Sequence, residues 1–122
     1  MDTMINGISA EQRDIAFVPF PFTDMSGIKK RPVLILSGKK YNDDNQDRIC
    51  CALTRNPDKL DKGITITNRD LERGQLYFKS FIMPCKIFTT HKNTLIKTFG
   101  KLNIDKSKDV VKCLNLNISI DE

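Results

Sequence analysis

Three consecutive cations, Lys29, Lys30 and Arg31, stand directly before Pro32 and the apolar run Val33-Leu34-Ile35-Leu36. A proline biases the residue before it to extended backbone, so the Arg31 side chain leaves the chain in a fairly fixed direction at the mouth of a strand. A guanidinium keeps its charge at any working pH, and its planar fork of donors matches two phosphate oxygens at once. Thr54, at the end of the β-prone run Ile49 to Leu53, offers a hydroxyl that can donate to such an oxygen. This pair suits phosphodiester cleavage in RNA, where the substrate's own 2'-hydroxyl can act as nucleophile. The protein then needs only to position the backbone, move a proton and stabilise the charge that develops on the phosphorane. Each residue also has a plainer reading: an Arg in a basic loop is commonly a solvated charge, and a strand-end Thr commonly satisfies a backbone group.

Other chemistries find less support. The chain has no Ser-His-Asp order, no glycine loop of the phosphate-cradling kind and no evident carboxylate dyad. His91 is the sole imidazole and thus a candidate general base, but a lone His in a polar turn is more commonly surface decoration. The four cysteines include no Cys-x-x-Cys pair, so neither a metal site nor a cofactor is expected. Cys50 and Cys51 are adjacent in a strand-like run and should point to opposite faces as reduced thiols.

Twenty Lys and Arg against 15 Asp and Glu leave a formal net charge of +5, which favours polyanionic partners while also serving simple solubility. Hydrophobic residues at 39% and charged residues at 29% are ordinary for a globular protein. With 122 residues, a single domain over 1–122 is expected, with 1–13 as a loose N-terminal arm. No apolar run approaches the ~20 residues that span a bilayer. Met1 to Arg13 lacks the pattern of a signal peptide, so a cytoplasmic protein without membrane contact is expected.

The elements that must hold these residues read as strands and loops. Ile15 to Val18 and Val33 to Leu36 are two strands flanking a long loop that carries Pro19, Pro21, Asp24, Ser26 and Gly27. Gly38 to Arg48 is expected to be a second exposed loop, Ile49 to Leu53 a strand, Lys59 to Lys62 a polar linker and Gly63 to Thr67 a half-buried strand. Asn68 to Gln75 is expected to turn, with Gly74 ending it, before a short extended piece at Leu76 to Phe78. In Ser80 to Thr90, Pro84 cannot donate a ladder hydrogen bond and so marks an edge, a bulge or a strand start. Thr94 to Leu102 is strand-like. Asp105 to Asn117 should form a helix capped by Asn103 or Asp105, its stripe of Val110, Val111, Leu114 and Ile118 facing the core. Several short strands, long loops and one terminal helix describe a small β-barrel carrying a helix.

The stretch from Asp14 to Ser37 resembles the MazF and PemK toxin family, whose pattern is close to Gly-Asp-Ile-Val-x-Val-x-Phe-Pro-Phe-Thr-Asp-x-Ser-Gly-x-Lys-x-Arg-Pro-Val-Leu-Val-Leu-Ser. Weaker similarity continues through Cys50 to Thr54 and Ser80 to Leu102. One departure is Arg13, where the family usually has Gly, and it bears on the local turn rather than on the site.

The resemblance implies a mainly β, SH3-like barrel of the MazF/CcdB toxin type with a C-terminal helix, a long bent strand at Ser80 to Thr90, and a homodimer. It implies an endoribonuclease toxin of a type II toxin-antitoxin system, cutting single-stranded RNA at a short sequence without metal, through a 2',3'-cyclic phosphate, and held in check by a cognate antitoxin. Arg31 and Thr54 match the family's catalytic Arg and Thr. Thr23, Asp24, Ser26, Lys29 and Lys30 fall where its first loop contacts RNA, and Lys86 matches a groove-facing position. Phe22 is a candidate for stacking on a base, whereas Phe17 and Phe20 read as packing residues. Two alternatives stay open: a CcdB-like gyrase poison without catalysis, although such toxins rely on a C-terminal tryptophan and this chain has no Trp, or a nucleic-acid binder on the same fold that does not cleave.

Overall fold

The computed structural model describes residues 10–21, 28–57 and 63–122. Among these residues seven strands form one antiparallel sheet: β1 (Asp14–Pro21), β2 (Ile28–Ile35), β3 (Asp47–Thr54), β4 (Ile64–Ile66), β5 (Leu71–Gly74), β6 (Ser80–His91) and β7 (Thr98–Leu102). Their order across the sheet is β4-β6-β3-β2-β1-β7-β5, and the described residues also form two α-helices, α1 (Lys39–Asp44) and α2 (Ile104–Ile118). This is the expected mainly β fold with a C-terminal helix.

The central strands are buried on both faces, which explains why β2 and β3 read as continuous apolar runs rather than alternating ones. On one face Ile15, Leu34, Cys51, Leu53, Ile82 and Leu102 gather with Val110 of α2. On the other, Ala16, Val18, Val33, Ile35 and Cys50 lie beneath Ala10 and Leu95. Cys50 and Cys51 thus point to opposite faces, as their adjacency predicts. Burial pushes both thiols up to about 12, so they stay protonated and inert.

Several boundaries differ from expectation. The β1–β2 pairing runs out to Pro21 opposite Ile28, so the hairpin is longer and Arg31 lies within β2 rather than at its mouth. Gly38 to Arg48 is not an open loop. Asn42 ties the backbone amide of α1 to Gly38 O and its own side chain to Ser37, which makes Lys39–Asp44 helical. Arg48 is buried instead of exposed, because its guanidinium satisfies the carbonyls of Ala10, Asn45 and Asp47. Asn68–Asp70 is a 3-10 turn closed by a capping box with Thr67, and the chain then pairs as β5, so Leu76 to Phe78 adds no strand. The run from Thr94 forms a strand only from Thr98, after Ile96 and Lys97 have bonded to the backbone of Phe17. The linker at Lys59 to Lys62 lies outside the described residues, as does most of the N-terminal arm.

Arg13 sits at φ 76, the left-handed region that a glycine enters freely. The turn is therefore kept despite the side chain. The strain of about 1 kcal/mol is offset by Arg13 Nη1 donating to Leu102 O and to Glu72 Oε1, each at 2.8 Å. Beside it, Lys101 is buried against Asp14, Nζ to Oδ1 3.2 Å.

Asn103 caps α2 by accepting from the Lys106 amide at 2.8 Å. Only Val110 of the expected stripe is buried. Val111 remains 40% exposed and Ile118 61%, because the curled sheet closes around one turn of the helix and leaves the rest standing off β2.

Candidate functional site

The site begins where the β2–β3 ladder ends. Those strands pair at Ile35 with Cys50, Leu34 with Cys51 and Val33 with Ala52, and then stop. The backbone of Phe17 turns away from β2, accepting from Ile96 and donating to Lys97. Its pair with Pro32 is therefore a non-hydrogen-bonded one, and the Pro32 backbone faces β3. A proline has no N–H to give there, so the ladder ends and the strands part.

Arg31 and Thr54 each lie two residues beyond the Val33–Ala52 pair on their own strands. Strand alternation puts both on the face marked by buried Val33, Ile35 and Cys50, so an apolar face becomes polar just past the last rung. Two contiguous clefts open at this point, of about 300 and 360 Å³, and Arg31, Pro32, Leu53, Thr54 and Asn56 line both. Thr54 Oγ1 accepts from the Asn56 amide at 3.2 Å, which orients the hydroxyl and leaves its hydrogen to be donated.

Lys86 reaches the second cleft because β6 bulges. Cys51 pairs with Ile87 but Ala52 with Met83, which leaves Pro84, Cys85 and Lys86 unopposed. Pro84 thus marks a bulge, the second of the three roles its chemistry permits. Lys29 and Lys30 are exposed on β2 and line the first cleft. Phe17 stacks on Phe99 with ring centroids 4.5 Å apart and forms part of the wall. The candidates Phe22, Thr23, Asp24 and Ser26 lie outside the described residues. His91 is remote from these residues in function, since its Nδ1 accepts from the Asn93 amide at 3.0 Å and caps a short turn.

Sequence reasoning missed Arg55, Asn56, Tyr77 and Phe78, all of which line the first cleft. The available signal was the interleaving of aromatic and basic residues in Tyr77-Phe78-Lys79, obscured by reading that piece as a strand. Among the described residues no Asp or Glu lines either cleft. Four cations line the first cleft and none of its described lining residues is acidic, which makes it a focus of positive potential. Among the described residues no group of His, Cys, Asp or Glu is arranged to hold a metal ion, and no helix is long and apolar enough to cross a membrane.

The fold is that of known toxins. A chain of the MazE-MazF structure (Form-III) from Deinococcus radiodurans matches with a TM-score of 0.70 at 14% identity, over 91% of this chain and 97% of that one. The Mycobacterium tuberculosis toxin MazF-mt6 matches with 0.68 at 18% identity, over 90% and 100%. An endoribonuclease in complex with its cognate antitoxin, from a mycobacterial species, matches with 0.67 at 12% identity, over 92% and 97%. No curated protein matches the sequence itself. The family described as PemK-like, MazF-like toxin of type II toxin-antitoxin system, however, matches residues 11–118. The chain belongs to that PemK/MazF-like toxin family.

Proposed function

We propose that this toxin is a sequence-specific endoribonuclease that cuts single-stranded RNA without a metal ion. The observation that carries this reading is the meeting of Arg31 and Thr54, distant in sequence, at a cationic cleft opened by the end of the β2–β3 ladder. The fold likeness to a mycobacterial endoribonuclease supports it.

The substrate's 2'-oxygen attacks the adjacent phosphorus as its proton departs, and the bond to the 5'-oxygen breaks as that oxygen gains a proton. The products are a 2',3'-cyclic phosphate and a 5'-hydroxyl. The Arg31 guanidinium holds the non-bridging oxygens as negative charge accumulates, and the Thr54 hydroxyl donates to one of them. Lys29, Lys30 and Lys86 bind flanking phosphates, and the first-loop residues read base edges. The test is to incubate purified protein with a long RNA in EDTA and map the ends. Discrete cuts bearing cyclic phosphate are expected, whereas intact RNA rejects the reading.

Separate surfaces account for inhibition and assembly. An acidic antitoxin segment neutralises the cleft cations, in keeping with the antitoxin complexes among the similar structures. A second copy of the chain covers the exposed apolar side of α2, where Ile104, Val111 and Leu116 stand in solvent. The domain is a single cytoplasmic unit on this reading.

A further inference from the structure

Exposed aromatic side chains are costly to leave in water, and two adjacent ones stand at the rim of the cationic cleft: Tyr77 is 73% exposed and Phe78 60%. They are not on a free-swinging loop. Gly74 ends β5 at φ 86, packed so closely on β7 that a Cβ there would lie 2.3 Å from Phe99 O, a position open only to glycine. The chain is then pinned by Gln75 N donating to Phe99 O, by Leu76 N donating to Asn68 Oδ1 at 2.6 Å, and by the buried Leu76 side chain. On the far side Ser80 Oγ donates to Phe78 O at 3.0 Å. Both ends of a short segment are thus held while its aromatic rings face out, which is the preorganised form of a binding surface.

One ring already has a cation on it. Arg55, the residue after Thr54, places Cζ 4.3 Å from the centroid of Phe78. The stack joins the aromatic segment physically to the strand end that carries Thr54.

We propose that Tyr77 and Phe78, braced by Arg55, form a base-stacking shelf for a nucleotide of single-stranded RNA next to the phosphate held at Arg31 and Thr54. The proposal deepens the RNA-cleaving reading above and rests on it for the placement of that phosphate. An aromatic face takes any base, because every base has a π-face, while the surrounding cations take the backbone. The charge of the wall selects the occupant. With Lys29, Lys30, Arg31 and Arg55 present and no carboxylate among the described lining residues, the cleft complements a polyanion bearing flat apolar groups, which is a single-stranded nucleic acid.

The test is binding, measured apart from cleavage. The probe is a short fluorescein-labelled single-stranded RNA of random sequence, 2'-O-methylated throughout so that it has no nucleophile, followed by fluorescence anisotropy over a range of salt. Phe78→Ala should weaken binding on the order of 10-fold with the salt dependence unchanged, since no charge is lost. Phe78→Trp should hold the affinity, and Phe78→Leu should behave like Ala, because it restores apolar area without a π-face. Arg55→Ala should weaken binding and lower the log–log salt slope by about one. Circular dichroism checks that each variant is folded.

Affinity unchanged in Phe78→Ala, full rescue by Leu, or no binding by the wild-type protein would each overturn the shelf. So would a loss confined to an acidic polypeptide such as polyglutamate, which would reassign the rings to a protein partner. Shelf-dependent binding of RNA that remains uncut in the end-mapping experiment supports the shelf and rejects the cleavage reading, so the two fail separately.

Discussion

The cleft at Arg31 and Thr54 and the groove beside α2 draw on the same strand. The first uses Arg31, Pro32 and Val33, and the second uses Leu34, Ile35 and Leu36 with Ile104, Val111 and Leu116 from the helix. The groove is the larger at about 820 Å³, against about 300 and 360 Å³ for the two halves of the cleft. Size nevertheless points away from chemistry here. The groove sets the aliphatic side chains of Leu34, Leu36, Ile104, Val111 and Leu116 inside a polar rim that includes Lys108, Lys112 and Asn115. It suits a non-directional apolar contact. Each half of the cleft is smaller, and its wall holds both the Arg31 guanidinium and the oriented Thr54 hydroxyl. Pro32 divides the two, since it ends the ladder on one side and leaves the apolar run intact on the other.

The comparison breaks most sharply at Arg31. Arg31→Ala should lower the single-turnover cleavage rate by about 100-fold, on the order of 3 kcal/mol for one preorganised charged donor. Arg31→Lys should recover only part of this, because an ammonium keeps the charge and loses the fork. A folded Arg31→Ala protein that cuts at the wild-type rate would remove the cleft from the chemistry. Thr54→Ala should cost about 10-fold, as befits a neutral donor.

The groove answers to a different measurement. Leu116, 71% exposed, lies on its rim, and Leu116→Asp should shift the mass seen by light scattering from dimer towards monomer while the melting temperature of the monomer barely moves. A monomer mass for the wild-type protein at micromolar concentration would show that the groove is not covered by a second copy.

Two smaller effects test the frame around both sites. Gly74→Ala should destabilise the fold by about 2 kcal/mol, since the new Cβ meets the backbone of Phe99 and Gly100. Arg13→Ala keeps the left-handed strain and loses the bonds to Glu72 and Leu102, for about 1 kcal/mol, whereas Arg13→Gly should stay near wild type. Chemical or thermal denaturation reads both.

The thiols provide a pH test. At pH 8 a thiol reagent should label exposed Cys85 first, partly exposed Cys113 more slowly, and Cys50 and Cys51 only on unfolding. Burial raises the latter two from 9.0 to about 12, so between those values the unfolded chain holds fewer protons than the folded one. Their contribution is therefore complete below pH 9 and lost as pH climbs towards 12. Stability that is flat over that range would contradict it.

Much of the fold was legible from local chemistry. Alternation and turn residues located most strands, Asn103 announced the start of α2, and the missing N–H of Pro84 announced an irregularity in β6. Where the reading failed, a tertiary partner had overridden local character. Arg48 looked like loop because arginine is usually solvated, yet three backbone carbonyls hold it inside. Val111 and Ile118 looked like core because their spacing is helical, and spacing cannot report how far a curled sheet reaches along a helix.

By itself, the sequence determined which groups are available: a fork of positive charge ahead of a proline, a hydroxyl at a strand end, and an apolar run long enough for a strand buried on both faces. These follow from side-chain chemistry and backbone preference, which are properties of each residue and its neighbours. Tertiary structure alone decided that Arg31 and Thr54 line the same clefts, that Arg55 lies on Phe78 and that no acid among the described residues joins them. Those facts depend on strand register, and register is settled by the whole sheet, where a shift of one residue would turn each of these side chains to the opposite face.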